Sequence, residues 1–305
     1  MNQIKGIVTG ASGFVGSNLL PYLIASGIKP QPLSLRSPLH QKIPDDCDFI
    51  IHLAGKAHDL KKVSDPDEYY NVNYELTKEL YNVFLASDAK KFIYLSSVKA
   101  VADAVDGILT ENEIPHPQTH YGKSKLLAEQ YIQGQQLPAG KSFYILRPCM
   151  IHGPGNKGNL NLLYKVVSKK IPWPLAAYEN QRSFLTVENL CFIIKKILIG
   201  ENIPSGIYHV TDDQALSTNE VIMLMSEALG TSPKLLKIPK EFISFMARAG
   251  DILHLPLNRE RLSKLTENYV VSNKKIKAAI NAELPYTSLE GLLKTFKSFF
   301  TKKLK

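Results

Sequence analysis

The sequence predicts an α/β fold: a doubly wound parallel sheet with helices on both faces, followed by a smaller, mixed C-terminal lobe. Three observations predict it. Short apolar runs alternate with segments of helical period through the first half of the chain, which is the pattern of repeated β-α-β units. A glycine-rich loop, "TGASGFVG", joins the first run to the first helix. After about residue 155 the alternation loosens into loops, helices and proline punctuation.

The elements follow in order. "IKGIVTG" is a short apolar strand, and "FVGSNLLPYLIASG" is a helix closed by Gly27. "PQPLSLR" is a strand candidate whose leading prolines predict a late start. "CDFIIHLAG" and "KFIYLSS" have the pattern of buried strands ending in small residues, and a helix, "EYYNVNYELTKELYNVFLAS", lies between them. "YGKSKLLAEQYIQG" is helical, and "SFYILRPCMIHGPG" closes the series as a strand. "GIYHVTD" is one more strand, and two helical stretches and a lysine-rich end follow. This divides the chain into a dinucleotide-binding domain at 1–155 and a substrate lobe at 156–305, with segments near 180–215 returning to the main sheet.

Composition bounds the function. The 44% hydrophobic and 21% charged residues of this 305-residue chain are those of a globular protein with an ample core. Cys47, Cys149 and Cys191 are widely spaced, and the eight histidines are scattered. Neither set forms a disulfide framework or a metal site, which suits a reducing cytoplasm and predicts no metal. The start "MNQIKGIVTG" has no long apolar stretch of a signal peptide, and "CFIIKKILIG" is broken by Lys195 and Lys196, so no membrane insertion is expected. The net charge of +9 collects partly in the tail "LLKTFKSFFTKKLK". Its helical spacing fits a membrane-surface helix or, the reading preferred, a packed C-terminal helix with a basic end. Nothing resembles a nucleic-acid module.

In a doubly wound sheet, ligands bind past the carboxyl ends of the strands, so the stretches just past each strand carry the chemistry. In "TGASGFVG" Gly10 permits the tight turn, Gly13 lets backbone approach a pyrophosphate, and Gly16 allows close helix–strand packing. Ser12, Phe14 and Val15 complete the cofactor-binding loop, and the helix start offers free N–H groups to phosphate. The second strand ends without the acidic residue that would favour NAD. Arg36 stands there instead, either pairing with a 2′-phosphate, which tips the cofactor toward NADP, or lying exposed on a loop. Ser96 and Ser97 end the "YLSS" strand, where serine alone is ordinary turn chemistry. Tyr121 and Lys125 are four residues apart on one helix face. A nearby ammonium lowers a phenol's pKa, fitting the tyrosine for acid or base work on a sugar hydroxyl or carbonyl.

Taken together, "TGASGFVG", "HLAG", "YYNVNYELTK", "YLSS", "YGKSK", "LRPCMIHGPG" and "RSFLTVENL" resemble, in order and spacing, the extended short-chain dehydrogenases/reductases of the NAD-dependent epimerase/dehydratase type. The resemblance covers nearly the whole chain. It implies a Rossmann sheet, NAD or NADP as cofactor, and a UDP- or dTDP-linked sugar as substrate. It assigns the hydrogen bond to the reacting oxygen to Ser97, acid/base chemistry to Tyr121, and ribose contact with tyrosine activation to Lys125. Leu53, Ala54, Gly55 and Pro148 would line the cofactor, Asn73 would brace the strands, and Asn159 and Arg182 would hold the nucleotide diphosphate, with Arg259 or Arg261 adding a cation. It also implies a homodimer.

Two departures narrow the reaction. Members that dehydrate the sugar carry an Asp-Glu pair directly after the hydroxyl residue, where this chain has Val98 and Lys99. Without those carboxylates 4,6-dehydration lacks its acid and base. Hydride chemistry at C4 remains, as a 4-epimerase or a 4-keto reductase in surface-polysaccharide sugar synthesis, with a non-catalytic dinucleotide-binding sensor as the alternative. The stretch from Arg36 to Cys47 is also short, leaving little room for the family's usual helix and third strand.

Overall fold

The computed structural model describes residues 3–35, 43–56, 65–156, 159–253 and 258–301. Strand β1 (Lys5–Thr9) leads through the glycine loop into helix α1 (Phe14–Ala25), then β2 (Lys29–Leu33) and β3 (Phe49–His52). Helix α2 (Pro66–Tyr70) passes through a π-helical turn at Asn71–Glu75 into α3 (Leu76–Ala86), so the single predicted helix has a bulge at its centre. Next come β4 (Lys91–Leu95), a 3₁₀ turn at Val98–Ala100, β5 (Ile108–Leu109), α4 (His120–Gly134), β6 (Ser142–Pro148) and β7 (Met150–His152). The C-terminal half holds α5 (Asn159–Ser168), β8 (Phe184–Thr186), α6 (Val187–Ile199), β9 (Gly206–Val210), α7 (Thr218–Ala228), α8 (Lys240–Leu253), α9 (Arg259–Thr266), β10 (Val270–Val271), α10 (Lys274–Ile280) and α11 (Ser288–Thr301).

The predicted fold class is the observed one. Six strands form one sheet in the order β2-β1-β3-β4-β6-β9, and every ladder is parallel. Alternate residues feed opposite faces. Ile7, Ile50, Phe92, Tyr94 and Ile145 pack on α3 and α4 through Leu80, Phe84, Ala128 and Ile132. Val8, Ile51, Ile93, Tyr144 and Leu146 pack on α1 and α6 through Leu19, Leu23, Leu190 and Ile194. A further core joins α5, α7, α8 and α11 around Trp173, Met225, Ile243 and Phe296. The tail's apolar residues Leu292 and Phe296 are buried there, so that helix packs rather than faces outward.

Strand β2 departs from expectation: it begins at Lys29 and takes in both prolines. Lys29 N–H donates to Ile4 O at 2.9 Å, so the alternate residues Pro30 and Pro32 turn their missing donors away from β1, toward the open edge. Proline is tolerated at an edge for that reason, and there it blocks pairing with another chain. No helix or strand intervenes between β2 and β3 among the described residues, and β2 is the edge strand. The predicted "SFYILRPCMIH" strand is also split. Pro148 ends β6, and β7 leaves to pair with β8 in a separate parallel pair.

Candidate active site

Parallel pairing brings the C-terminal ends of β1, β3, β4 and β6 to one edge of the sheet. At β1 the chain turns at Gly10, whose φ of +68° suits glycine. A Cβ there would stand 2.6 Å from Ala54 N, so the glycine loop and "HLAG" touch backbone to backbone. Helix α1 starts at Gly13 with no side-chain cap and no acidic residue in its first turn. Its free N–H groups and positive dipole end face the exposed Ser12–Gly13 turn.

Behind this loop runs a buried polar chain. Thr77 Oγ1 donates to Asn73 O at 2.8 Å, so it must accept from His52 Nε2–H at 2.9 Å. The bare His52 Nδ1 then accepts from Thr9 Oγ1 at 2.7 Å, and Thr9 Oγ1 accepts from Ala54 N–H at 3.2 Å. Each hydroxyl's single proton fixes the tautomer of the next group. Burial pushes His52 down to about 3, so the ring is neutral. Asn73, on the π-helical turn, accepts from Lys56 N at 2.8 Å and donates to Lys56 O and to Ser124 Oγ, each at 3.1 Å. The chain fixes "HLAG" against the helix that follows it.

The two serines after β4 separate by partner. Ser96 Oγ donates to Glu129 on α4, where the buried carboxylate also receives Arg147 of β6. Ser97 caps the 3₁₀ turn, its Oγ accepting from Lys99 N at 3.2 Å, and lies near enough to the Tyr121 phenol to lower its pKa. Close approach of α4 makes this pairing: a Cβ on Gly122 would stand 2.3 Å from Lys99 O. Thr119 caps α4 by accepting from Gly122 N at 3.2 Å, and Asp103 holds the entry by accepting from Gln118 N at 2.8 Å.

Lys125 lies one turn beyond Tyr121. Its Nζ donates to Leu95 O at 2.9 Å and lies 4.8 Å from the centroid of the Tyr94 ring. A Cβ on Gly55 would meet Nζ at 3.1 Å and Asn73 Oδ1 at 3.0 Å, so glycine lets this turn lie close against the buried ammonium. Burial pushes Lys125 down to about 8. The expected lowering of Tyr121 is reversed: burial raises the phenol and outweighs the lowering by nearby Ser97. The ammonium is spent on Leu95 O and the Tyr94 face.

The C-terminal lobe closes on the same turn. Tyr269 Oη donates toward Ala102 O at 2.7 Å and Val98 O at 3.3 Å. Arg182 is bridged through its backbone to Leu216 and Tyr269, and its Nη1 donates to Lys264 O at 2.6 Å. Lys99 Nζ donates to Asp103 O at 2.7 Å and sits 4.4 Å from the Tyr269 ring centroid. Burial pushes it down to about 8, with Arg182 adding its repulsion. Ser97, Tyr121, Lys99 and Arg182 thus converge, and Lys125 follows along α4.

The other expected residues fall as follows. Leu53, Ala54 and Gly55 continue β3 toward the glycine loop, Pro148 is the last residue of β6, and Phe14, Val15 and Gly16 form the first turn of α1. Asn159 opens α5. Arg259 opens α9, largely exposed and paired with Asp251 of α8. Arg36 lies outside the described residues. Sequence reasoning gave no role to Gly122, although it lies within "YGKSK", and missed Asp103, Glu129 and Tyr269, which carry no local motif.

The glycine cradle and the uncapped start of α1 fit a dinucleotide lying along this edge with its pyrophosphate at α1. A model of the NAD dependent epimerase/dehydratase family matches residues 7–210, and the chain belongs to that family. Among curated relatives, a UDP-glucose 4-epimerase of Vibrio cholerae is 27% identical, covering 96% of this chain and 94% of its own. An N-acetyl-alpha-D-glucosaminyl-diphospho-ditrans,octacis-undecaprenol 4-epimerase of Escherichia coli O157:H7 is 29% identical over 89% of this chain and 84% of its own. Among solved structures, a UDP-N-acetylglucosamine 4-epimerase from Bacillus cereus superposes with a TM-score of 0.75 at 20% identity, covering 97% of this chain and 99% of that one. RMD from Pseudomonas aeruginosa, complexed with NADPH, does so with a TM-score of 0.75 at 22% identity, covering 98% and 99%.

Proposed function

We propose that this protein is a cytoplasmic, NAD(P)-dependent enzyme acting by hydride transfer at C4 of a sugar carried on a diphosphate, as a 4-keto reductase or a 4-epimerase and not a 4,6-dehydratase. The observation that carries this is Ser97 set beside Tyr121 with Lys125 one helical turn on, at a turn that presents Val98 and Lys99 in place of two carboxylates. Bound NAD(P) supplies or accepts the hydride. Ser97 Oγ and Tyr121 Oη hold the oxygen on the reacting carbon, and Tyr121 gives or takes its proton. Lys125 contacts the ribose near Gly55, while the start of α1, with Gly10 and Gly13, takes the pyrophosphate. Arg182 and Asn159 serve the sugar diphosphate, and Arg259 lies too exposed to be assigned with them.

The diphosphate carrier is a nucleoside, UDP or dTDP. One relative's name couples the sugar to undecaprenol instead, and a diphosphate reader of this kind serves either. A role in surface-polysaccharide sugar synthesis and a homodimeric assembly belong to the same proposal.

Incubation of UDP- and dTDP-sugars with NAD+ or NADP+, and of their 4-keto forms with NADH or NADPH, tests it. A reductase oxidises one NADPH per product, and an epimerase gives an isomer with no net oxidation. Faster turnover with NADPH is expected from Arg36. If neither hexose nor 4-keto sugar diphosphates are turned over, the proposal fails.

A further inference from the structure

The turn after β4 that carries Ser97 is gripped from the C-terminal lobe by one side chain. Tyr269, just before β10, is buried, and its Oη reaches Ala102 O at 2.7 Å and Val98 O at 3.3 Å. Both partners are carbonyls, so the phenol is the donor and shares its single proton between them. Val98 O also accepts from Val101 N at 3.0 Å, and Ser97 O accepts from Ala100 N at 2.9 Å. A 3₁₀ turn closed by such bonds has poor hydrogen-bond geometry of its own, so an outside donor on its carbonyls adds to its rigidity. The ring centroid of Tyr269 lies 4.4 Å from Lys99 Nζ. Hydroxyl and ring together hold a turn of which Ser97 is the cap.

The backbone of Tyr269 is fixed on the lobe. Its N–H donates to Gln181 O at 2.8 Å, and its O accepts from Ser183 N at 2.9 Å. It therefore brackets Arg182, whose own N–H and O pair with Leu216 at 2.9 Å each. The next residues, Val270 and Val271, pair with Ile108 and Leu109 of β5. One residue thus joins the Arg182 segment to the turn that presents Ser97.

We propose that Tyr269 is a positioning residue for the reaction: by holding Val98 and Ala102 it sets Ser97 against the oxygen on the reacting carbon, at a fixed place relative to Arg182. Tyr269 touches no reacting atom and acts through Ser97, on the reading that Ser97 holds that oxygen.

Tyr269→Phe removes the hydroxyl and keeps the ring under Lys99. On the sugar diphosphate that the native protein turns over, kcat is measured per cofactor site, counted by NADPH fluorescence titration. It should fall about tenfold or more, with KM within about twofold of native. In a Ser97→Ala background the same change should cost less than about twofold, because the residue it acts through is gone. Tyr144→Phe is the control and should keep the native kcat: it removes a buried phenol's bond to Ile203 O, 3.0 Å long, near the start of β6. Amide exchange over residues 97–102 reads the contact without turnover. It should quicken about tenfold in Tyr269→Phe and stay native in Tyr144→Phe. Unchanged exchange, or an unchanged kcat where Ser97→Ala lowers it, overturns the inference and leaves the catalytic reading standing. Equal losses in the native and Ser97→Ala backgrounds also overturn it, because they show general loosening. If Ser97→Ala itself leaves kcat unchanged, or the native protein turns over no sugar diphosphate, the catalytic reading fails and this inference falls with it.

Discussion

At the residue scale, the paired serines after β4 have divided their work. Ser96 is committed to Glu129, inside the molecule, and Ser97 is aimed at the Tyr121 phenol. In the proposed function Tyr121 is the proton carrier, and burial raises its phenol above the ordinary value. Tyr121→Phe keeps the ring and its edge contact with Tyr69 but removes the proton. Turnover should fall by about 10²–10⁴-fold, the usual worth of a positioned acid, while NADPH binding followed by fluorescence stays within about twofold. Unchanged turnover would remove Tyr121 from the mechanism. Lys99 takes the place where a carboxylate would make a dehydratase. Its ammonium is bound to Asp103 O and lies over the Tyr269 ring, with Asp103 and Glu267 as well as Arg182 acting on its charge.

At the scale of elements, α4 is clamped to the sheet by a charge pair sealed from water. Arg147 sits in mid-sheet on β6, 3% exposed, and donates through Nε to both Glu129 oxygens at 3.0 Å. Glu129→Gln leaves a buried guanidinium without its counter-charge, so we expect a loss of about 3–5 kcal/mol in urea unfolding. Removing both charges in Glu129→Gln/Arg147→Met should recover part of it. A single-variant loss below about 0.5 kcal/mol would mean that water reaches the pair. This clamp also marks the limit of what the chain discloses. The glycine loop, the Tyr121–Lys125 spacing and the buried strands were legible because each rests on neighbours a few residues apart. Nothing local in "YILRP" or "LLAEQ" says that Arg147 meets Glu129, or that Tyr269 crosses to Val98, because sheet order and lobe docking set those contacts. The prolines of β2 misled for the same reason. Their cost depends on which side of the strand lacks a neighbour, which the sequence does not state. The tail's spacing predicted a helix, and its apolar residues Leu292 and Phe296 pack into the C-terminal core.

At the scale of the whole molecule, Asp212 ties the sheet to the C-terminal lobe. It follows β9 and accepts from Thr186 N and Oγ1 and from Asn189 Nδ2, and Asn189 in turn binds the backbone of Tyr286 just before α11. Thr295 Oγ1 on α11 donates to Gly291 O, so it accepts from His152 Nδ1–H at 2.8 Å. His152 Nε2 is then a bare lone pair 3.8 Å from Asp212 Oδ2, without another partner. Burial pushes His152 down to about 3, so this contact is not an ion pair at neutral pH. Burial also pushes Asp212 from 3.8 up to about 6, outweighing its three donors. The folded state therefore binds a proton that the unfolded chain releases between pH 4 and 6. The stabilisation is complete below about pH 4 and lost as pH rises through about 6. At 1.4 kcal/mol per pKa unit the span is roughly 3 kcal/mol. Asp212→Asn cannot titrate, so the stability of the native protein relative to this variant should fall by about that amount between pH 4 and pH 7. Urea unfolding of both proteins across that range measures the slope. A slope of opposite sign would mean that the three donors hold Asp212 ionised and that the lobes are joined through a buried carboxylate.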